Sequence, residues 1–445
     1  MGIAMAEQGF FHSKRISWIG LKVAGTGKPR CYGTRMNDIS LYQQILGDTT
    51  PWRVGEVKLD AEKLTIDVRF VLPEDAAWTC PECRGRMHVK DRRRRRWRHL
   101  DSCQFKTVLE ADVPVVECPT HGAQTVQVPW ADGSSRFTLL FERLAIEVLL
   151  ACPAAKAAQL LDVTWDQIDG IKQRAVMRGL AKRAIEGVEY LCVDEKAVGH
   201  GHDYVTVVTG IVDGKPNVLH VGDGRSEGAL NEFYKRLGAD RCKRIKAVSM
   251  DMGVPYQNAT ARHCPGADIV FDPFHIMKMC NKAVDEVRRE EALMGRKQAR
   301  ESLKNTRQMW LWGEENLPRR YANRFEELKE SSLKTAKAWR VKELWRSFKT
   351  CADAEDGMDF FLRWYREAMK TRLDPVKRLA QSMKERVGSI VTYLKHRFCN
   401  AFAEGVNSRI QLLVQKSCGY RSRKRLKTDI LFHFGGLNLN PVPAQ

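Results

Sequence analysis

Glu189-Tyr-Leu-Cys-Val193-Asp194 is a short apolar run that ends in an acid, and Ile245-Lys-Ala-Val-Ser-Met250-Asp251 repeats the pattern. Each has the length and residue types of a buried strand. Between them lie a β-rich run from Tyr204 to Val212, a turn at Asp213-Gly214 and a third strand from Val218 to Val221. Ser226 then caps a helix with Leu230, Phe233, Tyr234 and Leu237 on one face. After Asp251, Pro255 opens a short helix, and Ala267 to Phe271 is a fifth strand leading into Asp272-Pro-Phe-His275. An acid at one strand end is an ordinary turn former. The pair becomes informative only if the fold brings the two strands together.

Three antiparallel strands, a helix, a strand, a helix and a strand make the order of the ribonuclease H fold. In that order the first and fourth strands are neighbours at the sheet centre, so Asp194 and Asp251 are expected side by side. Two adjacent carboxylates repel unless a cation sits between them. A third acid comes from Phe398-Cys-Asn-Ala-Phe-Ala-Glu-Gly-Val-Asn-Ser-Arg-Ile-Gln-Leu-Leu-Val-Gln415. At about 100° per residue, Phe398, Phe402, Val406, Ile410 and Leu413 share one face. Asn400, Glu404, Asn407 and Gln411 form a narrow stripe opposite, a lone acid among amides. That pattern suits one ligand of a metal site; a half-exposed helix with a chance polar stripe is the alternative.

The 445 residues carry a formal charge of +20, and 43% of them are hydrophobic. The chain can therefore build real cores and is not a disordered protein. The charge excess suits a polyanion, DNA or RNA, better than a metabolic substrate. The 13 cysteines are odd in number and mostly scattered. Cys192, Cys242, Cys264, Cys280, Cys351 and Cys399 sit in apolar or helical contexts, which points to a reducing, cytoplasmic, nucleoid-associated protein. No signal pattern and no run of about 18 apolar residues is present, so no membrane partner is expected.

Residues 1–75 read as an N-terminal extension with a loop at Gly25 to Tyr32 and a small hairpin between Glu56 and Leu72. Residues 76–130 read as a zinc-binding ribbon. Cys80-Pro-Glu-Cys83 and Cys118-Pro-Thr-His121 are two knuckles, each aiming two donors at one tetrahedral ion. Cys103 lacks a partner at a suitable spacing. Between the knuckles, Arg92, Arg93, Arg94, Arg95 and Arg96 form a phosphate-contacting finger or a solvated surface. Residues 131–185 read as a helix-turn-helix: an amphipathic helix from Phe137, a second from Pro153 to Leu161, a break at Asp162-Val163, and a capping box formed by Thr164 and Gln167. The last helix is expected to offer Gln167, Lys172, Gln173 and Arg174 to a groove. The catalytic core is assigned to 186–275 and 386–445, split by an all-helical insertion at 276–385. The insertion's Trp310, Trp312, Trp339, Trp345, Trp364 and Tyr365 are expected as its own core. A basic loop after residue 415, with Arg421 and Arg423, grips DNA or is simply solvated.

Taken together, Cys80-Pro-x-Cys83 with Cys118-Pro-x-His121, Val193-Asp194-Glu195, Ser249-Met-Asp251-Met, Asp272-Pro-Phe-His275 followed by Val287-Arg288-Arg289, and Asn400-x-x-x-Glu404-Gly-x-Asn407 followed by Gly419-Tyr420 resemble one family. It is the DDE transposases of bacterial insertion sequences, specifically the ISL-three group. The resemblance runs from about residue 55 to the C-terminus. It implies structural Zn2+ and binding to double-stranded DNA at terminal inverted repeats and target. It also implies Asp194, Asp251 and Glu404 holding two Mg2+ or Mn2+ ions for in-line displacement at phosphorus. Asp272 then stands as a fourth ligand or a helix cap, oriented by His275. Synapsis of two DNA ends implies a homo-oligomer on DNA, although no heptad pattern marks an interface. The competing readings are an inactive or domesticated transposase acting as a DNA-binding regulator, and a structure-selective nuclease of the same fold.

Overall fold

The computed structural model describes residues 38–441 other than 74–75, 134, 200–202, 213 and 418, and of 401 and 402 the backbone alone. The expected Gly25–Tyr32 loop, Asp213 of the turn and the side chain of Phe402 lie outside the described residues. Two compact units emerge. Of the described residues, one unit holds those up to Arg96 with Ser102–Val126; the other holds Trp97–Asp101 with those from Gln127 onward.

In the first unit, helix α1 (Asp38–Leu46) precedes β1 (Arg53–Asp60) and β2 (Thr65–Val71), an antiparallel hairpin. Alternation buries Ile66, Val68 and Phe70 on one face. A lone hairpin is marginal in water, and this one does not stand alone. After the small β3 (Trp78–Thr79) and β4 (Arg86–Met87) come two long strands, β5 (Val89–Arg98) and β6 (Lys106–Cys118), then β7 (Gly122–Thr125). β2 pairs in parallel with β6, giving one sheet in the order β1-β2-β6-β5 with β7 also on β6. The hairpin and the strands between the two knuckles are thus one sheet.

The second unit opens with α2 (Leu139–Ala151), α3 (Ala154–Leu161) and α4 (Trp165–Lys182). Asp162 ends α3 in the left-handed conformation, and Thr164 and Gln167 form the full capping box that starts α4. The groove-facing expectation for α4 needs correction. Lys172 is buried, its ammonium paired with Asp429 and 3.7 Å from Asp169. Gln173 donates to Asp169 at 2.8 Å, Arg174 clasps the buried Glu142 at 2.8 and 2.6 Å, and the Gln167 side chain accepts from Thr164 N within the cap. Charged and amide groups beside a packed helix face are drawn inward when carboxylates wait there, because an unpaired buried carboxylate is costly. Lys172→Ala should therefore destabilise the chain by roughly 3–5 kcal/mol in urea unfolding. Unchanged stability with weakened DNA binding would return Lys172 to the DNA face.

Next come β8 (Tyr190–Ala197), β9 (Tyr204–Val212), β10 (Lys215–Asp223), α5 (Glu227–Leu237), α6 (Ala239–Cys242), β11 (Ala247–Met250), α7 (Val254–His263), β12 (Asp268–Phe271) and α8 (Pro273–Met294). The sheet order is β10-β9-β8-β11-β12, with β8 antiparallel to β9 and parallel to β11. The expected neighbours are neighbours. Leu191, Val193, Val248 and Met250 enter a core shared with α5, α7 and α8. On the other face Val205, Val207, Val218 and Val221 meet the last two helices. Covering both faces explains why these strands read as nearly continuous apolar runs.

Helices follow: α9 (Lys297–Ser302), α10 (Arg307–Leu311), α11 (Ala322–Lys329), α12 (Lys334–Arg346), α13 (Ala354–Lys370) and α14 (Asp374–Lys384). Trp310, Trp339, Trp345 and Trp364 are buried among them, as core residues. The buried Lys342 donates to the carbonyls of Trp310, Leu311 and Trp312 at 2.9, 3.3 and 2.7 Å, and so caps the C-terminal end of α10. The chain returns through α15 (Val387–His396), which docks on β12 where Thr392 donates to the Ile269 carbonyl at 2.7 Å. It ends with α16 (Ala401–Lys416) and α17 (Arg423–Phe434). No helix among the described residues is long and apolar enough to cross a membrane.

Candidate functional site

Strand register decides where the acids stand. Ser249 pairs with Cys192, so two residues further on Asp251 comes level with Asp194. Met250 pairs with Phe271, so one residue further on Asp251 comes level with Asp272. Three aspartates therefore form a row across β8, β11 and β12. Asp251 and Asp272 directly follow the last residues of β11 and β12. Asp194 is not at a strand end, as the sequence suggested, because β8 continues to Ala197 against β9. β11 stops short, and that leaves the edge of β8 open at Asp194. The crevice beyond the carboxyl ends of parallel strands is a general place for ligands in such sheets.

Helix α16 closes the row from one face. Val406 and Ile410 are fully buried against β9, β10 and α17, a contribution of about 1.5–3 kcal/mol each. Ala403 and Phe398 pack on Cys192. Docking α16 this way turns its amides inward. Asn407 donates to Asp194 Oδ2 at 2.6 Å, and Asn400 donates to the Val193 carbonyl at 3.5 Å. Asn400 and Asn407 of the amide stripe are thus buried, and Gln411 half-buried, rather than presented with Glu404, which is exposed in the first turn of α16.

Each aspartate is held by backbone. Glu195 N donates to Asp194 at 2.8 Å, Gly253 N to Asp251 at 2.9 Å, and Phe274 N to Asp272 at 3.3 Å. Asp272 is therefore the N-cap of α8. Burial pushes the Asp194 carboxyl above the ordinary carboxylate range, with the nearby charge of Asp251 acting in the same direction. Burial also raises Asp272, and the charges of Glu404 and Asp194 add to it. The charge of Glu404 is thus felt at Asp272. Oδ2 of Asp272 and the Oδ1 atoms of Asn400 and Asn407 are buried without a hydrogen-bond partner among the described residues. His275 Nε2 lies 3.8 Å from Asp272 Oδ2. Glu195, given no role from sequence, joins the cluster: burial and the charge of Asp251 raise its carboxyl too. Its place directly after Asp194 was the signal.

Cys80, Cys83, Cys118 and His121 bring their ligand atoms within 4.8 Å of one another. Cys83 Sγ is 3.7 Å from Cys118 Sγ, and His121 Nδ1 is 3.7 Å from Cys80 Sγ and 3.4 Å from Cys118 Sγ. Ligands at zinc distances in a tetrahedron stand about 3.7 Å apart, so the four fit a structural Zn2+. Cys103 is exposed and outside the group. Among the described residues no other three His, Cys, Asp or Glu come so close, so the aspartate row is wider than this cluster.

The arginine finger is only partly free. Arg94 is 3.1 Å from Asp112 and 3.6 Å from Glu110, while Arg96 pairs with Asp67 and Glu110. Arg92 and Arg93 are exposed and form no ion pair among the described residues; Arg95 is half-buried. In the C-terminal loop Arg421 is exposed, whereas Arg423 bonds Asp203 at 2.5 Å. Gly419, at φ +88°, takes a conformation L side chains rarely adopt, and Tyr420 beside it donates to Asp429 at 2.6 Å.

Three family models match the chain. One described as "Transposase", of the ISL3 group, covers residues 191–430. A "zinc-finger of transposase IS204/IS1001/IS1096/IS1165" covers 76–121, and a "Helix-turn-helix domain of transposase family ISL3" covers 126–176. The transposase for insertion sequence element IS1001 of Bordetella parapertussis is 26% identical over 376 residues, 82% of this chain and 91% of that protein. The transposase for insertion sequence element IS1557 of Mycobacterium tuberculosis (strain ATCC 25618 / H37Rv) is 26% identical over 423 residues, 88% of this chain and 94% of that protein.

Proposed function

Because the chain belongs to the ISL3 family of transposases, we propose that it binds the terminal inverted repeats of its element and cuts and joins DNA strands at a divalent metal centre formed by Asp194, Asp251 and Glu404. The catalytic unit is then a ribonuclease H-like core split by the helical insertion. The observation that carries this reading is the register that sets Asp194, Asp251 and Asp272 in one row beneath the helix of Glu404.

The residues fit a cation. Asp272, Asn400 and Asn407 carry buried oxygens without a hydrogen-bond partner among the described residues, and Asp194 and Asp272 are acids whose ionised form burial disfavours. Mg2+ or Mn2+ held by Asp194, Asp251 and Glu404, with Asp272 as a further ligand, would supply Lewis-acid stabilisation at phosphorus and lower the pKa of an attacking water or 3′-hydroxyl. The protein's own part is placement. Glu195 N and Asn407 each hold one oxygen of Asp194 and so fix its orientation, and Gly253 N holds Oδ1 of Asp251. Docking of α16 on β9, β10 and α17 fixes the helix that carries Glu404, and His275 stands beside Asp272. DNA would meet the exposed Arg92, Arg93 and Arg421, and the helix-turn-helix through side chains other than Gln167, Lys172, Gln173 and Arg174, with a homo-oligomer pairing two ends.

The test is incubation of the full chain with its element's end DNA and Mg2+, followed by mapping of nicks on both strands. Nicks at the repeat boundary are expected. Tight, specific end binding without any nick overturns the cleavage chemistry.

A pH effect follows. Asp194 and Asp272 have carboxyls raised on folding, so their contribution to stability is full below the unfolded carboxylate value and is lost as pH rises through the folded one. A divalent cation removes that loss, because it binds the ionised form. Mn2+ should therefore raise the melting temperature more at pH near 8 than at pH near 5 in thermal-shift titrations. Equal shifts at both pH values would argue against the aspartate row as the binding site.

A further inference from the structure

A cleft of about 690 Å³ opens on Asp251 and runs between α8 and α10. On α8 its wall carries His275, Lys278, Lys282, Asp285 and Arg289, at successive spacings of three and four residues. That spacing keeps them on one helix face. Arg307 of α10 stands on the opposite wall. Asp285 is the acid in this stripe and already serves three guanidinium groups: Arg288 at 2.8 Å, Arg307 at 3.2 Å and Arg289 at 3.6 Å. Lys278 is exposed and forms no ion pair among the described residues, and Lys282 is 76% exposed and only 3.9 Å from Glu286. Positive charge is therefore in excess along the whole stripe. The opposite wall is rigid, because the buried Lys342 ties down the carbonyl end of α10.

We propose that this cleft is a phosphodiester track, in which Lys278, Lys282, Arg289 and Arg307 grip the DNA backbone next to the bond addressed by the acid row. The helical insertion then builds half of the DNA-binding cleft and is more than a spacer. Length supports a polymer over a small anion. From His275 to Arg289 the helix rises roughly 21 Å at 1.5 Å per residue, about six steps of a DNA strand at 3.4 Å. One phosphate would need a single helical turn. The proposal rests on the DNA-cleavage reading for its position, and its test is chosen to be separable from it.

The DNA in the track is either the element's own end or the target, and the two are told apart by measuring both. The full chain and the variant Lys278→Glu with Lys282→Glu are titrated with end duplex and with unrelated duplex over a range of salt. Each lost phosphate contact lowers the slope of log affinity against log salt by about 0.9. A slope shallower by roughly 1.8 is expected, on end duplex if the track holds the element's end, and on unrelated duplex alone if it holds the target. Nicking should fall by roughly tenfold or more in the first case, and joining of pre-cut ends in the second. Phosphate-ethylation interference in the wild-type complex, lost in the variant, gives an independent reading, and Lys278→Gln with Lys282→Gln repeats it without charge reversal. Both lysines are exposed, so unchanged far-ultraviolet circular dichroism is expected. Identical slopes and identical interference in all variants would overturn the track. Absence of nicking in the wild type would overturn the cleavage reading instead, and the slopes would still decide the track.

Discussion

Asp194→Asn, Asp251→Asn and Glu404→Gln are each expected to abolish strand cleavage while leaving inverted-repeat binding intact. The substitutions keep side-chain size, replace one acceptor oxygen with an amide donor, and remove the charge a divalent cation needs. Metal stabilisation of charge at phosphorus is worth several kcal/mol. At 1.36 kcal/mol per tenfold, that is a loss on the order of 10³-fold or more. Binding survives because the helix-turn-helix and the zinc ribbon lie elsewhere in the sequence. The three variants should differ in their side effects. In Asp194→Asn, one of the two oxygens that accept from Glu195 N and from Asn407 becomes an amide donor, so one of those contacts is lost and the docking of α16 is expected to loosen slightly. Glu404→Gln changes an exposed side chain and should leave the melting temperature unchanged. Rates are read on end DNA under single-turnover conditions with Mg2+ and again with Mn2+. Full activity in any one variant removes that residue from the site.

What the sequence made legible was local or periodic. The Thr164–Gln167 capping box needs only four consecutive residues, and it forms as expected. The paired Cys-Pro knuckles carry their own geometry, and their four ligands converge. The order of strands and helices fixed which strands are neighbours, so the approach of Asp194 to Asp251 followed from it. Partners distant in the chain were not legible. Lys172 looks like a groove-facing lysine until Asp429, on the last helix, is brought against it. Arg94 and Arg96 look free until β2 and β6 place Asp67, Glu110 and Asp112 beside them. Helical periodicity gave one buried face for α16. It could not show that the amide stripe is covered too, because the cover comes from β8. The basic stripe on α8 was written in the spacing of Lys278, Lys282 and Arg289, yet it gains meaning only once α10 supplies the facing wall.

Removing the zinc should produce the other large effect. Cys83 is the ligand to change, because it is exposed, whereas Cys80 is buried and its backbone ties the knuckle through Gly85 O at 2.9 Å and Arg84 N at 2.8 Å. Arg84 itself sits in the left-handed region at φ 58°. Structural zinc contributes roughly 10–16 kcal/mol of folding free energy in small zinc-dependent domains. A change of that size is as large as the whole net stability of a typical domain. Cys83→Ser, or chelation of the wild type, is therefore expected to strip the metal by elemental analysis and to raise hydrogen exchange across β3–β7. Exchange in β8, β11 and α16 should stay as it was, since those elements belong to the other unit. End binding should weaken by roughly tenfold or more at physiological salt, because Arg92 and Arg93 lose the ordered strand that presents them to phosphates. If Cys83→Ser retains its full metal content, the four-ligand assignment fails. If the metal is lost and end binding is unchanged, the ribbon contributes nothing to holding DNA, and its arginines are a solvated surface.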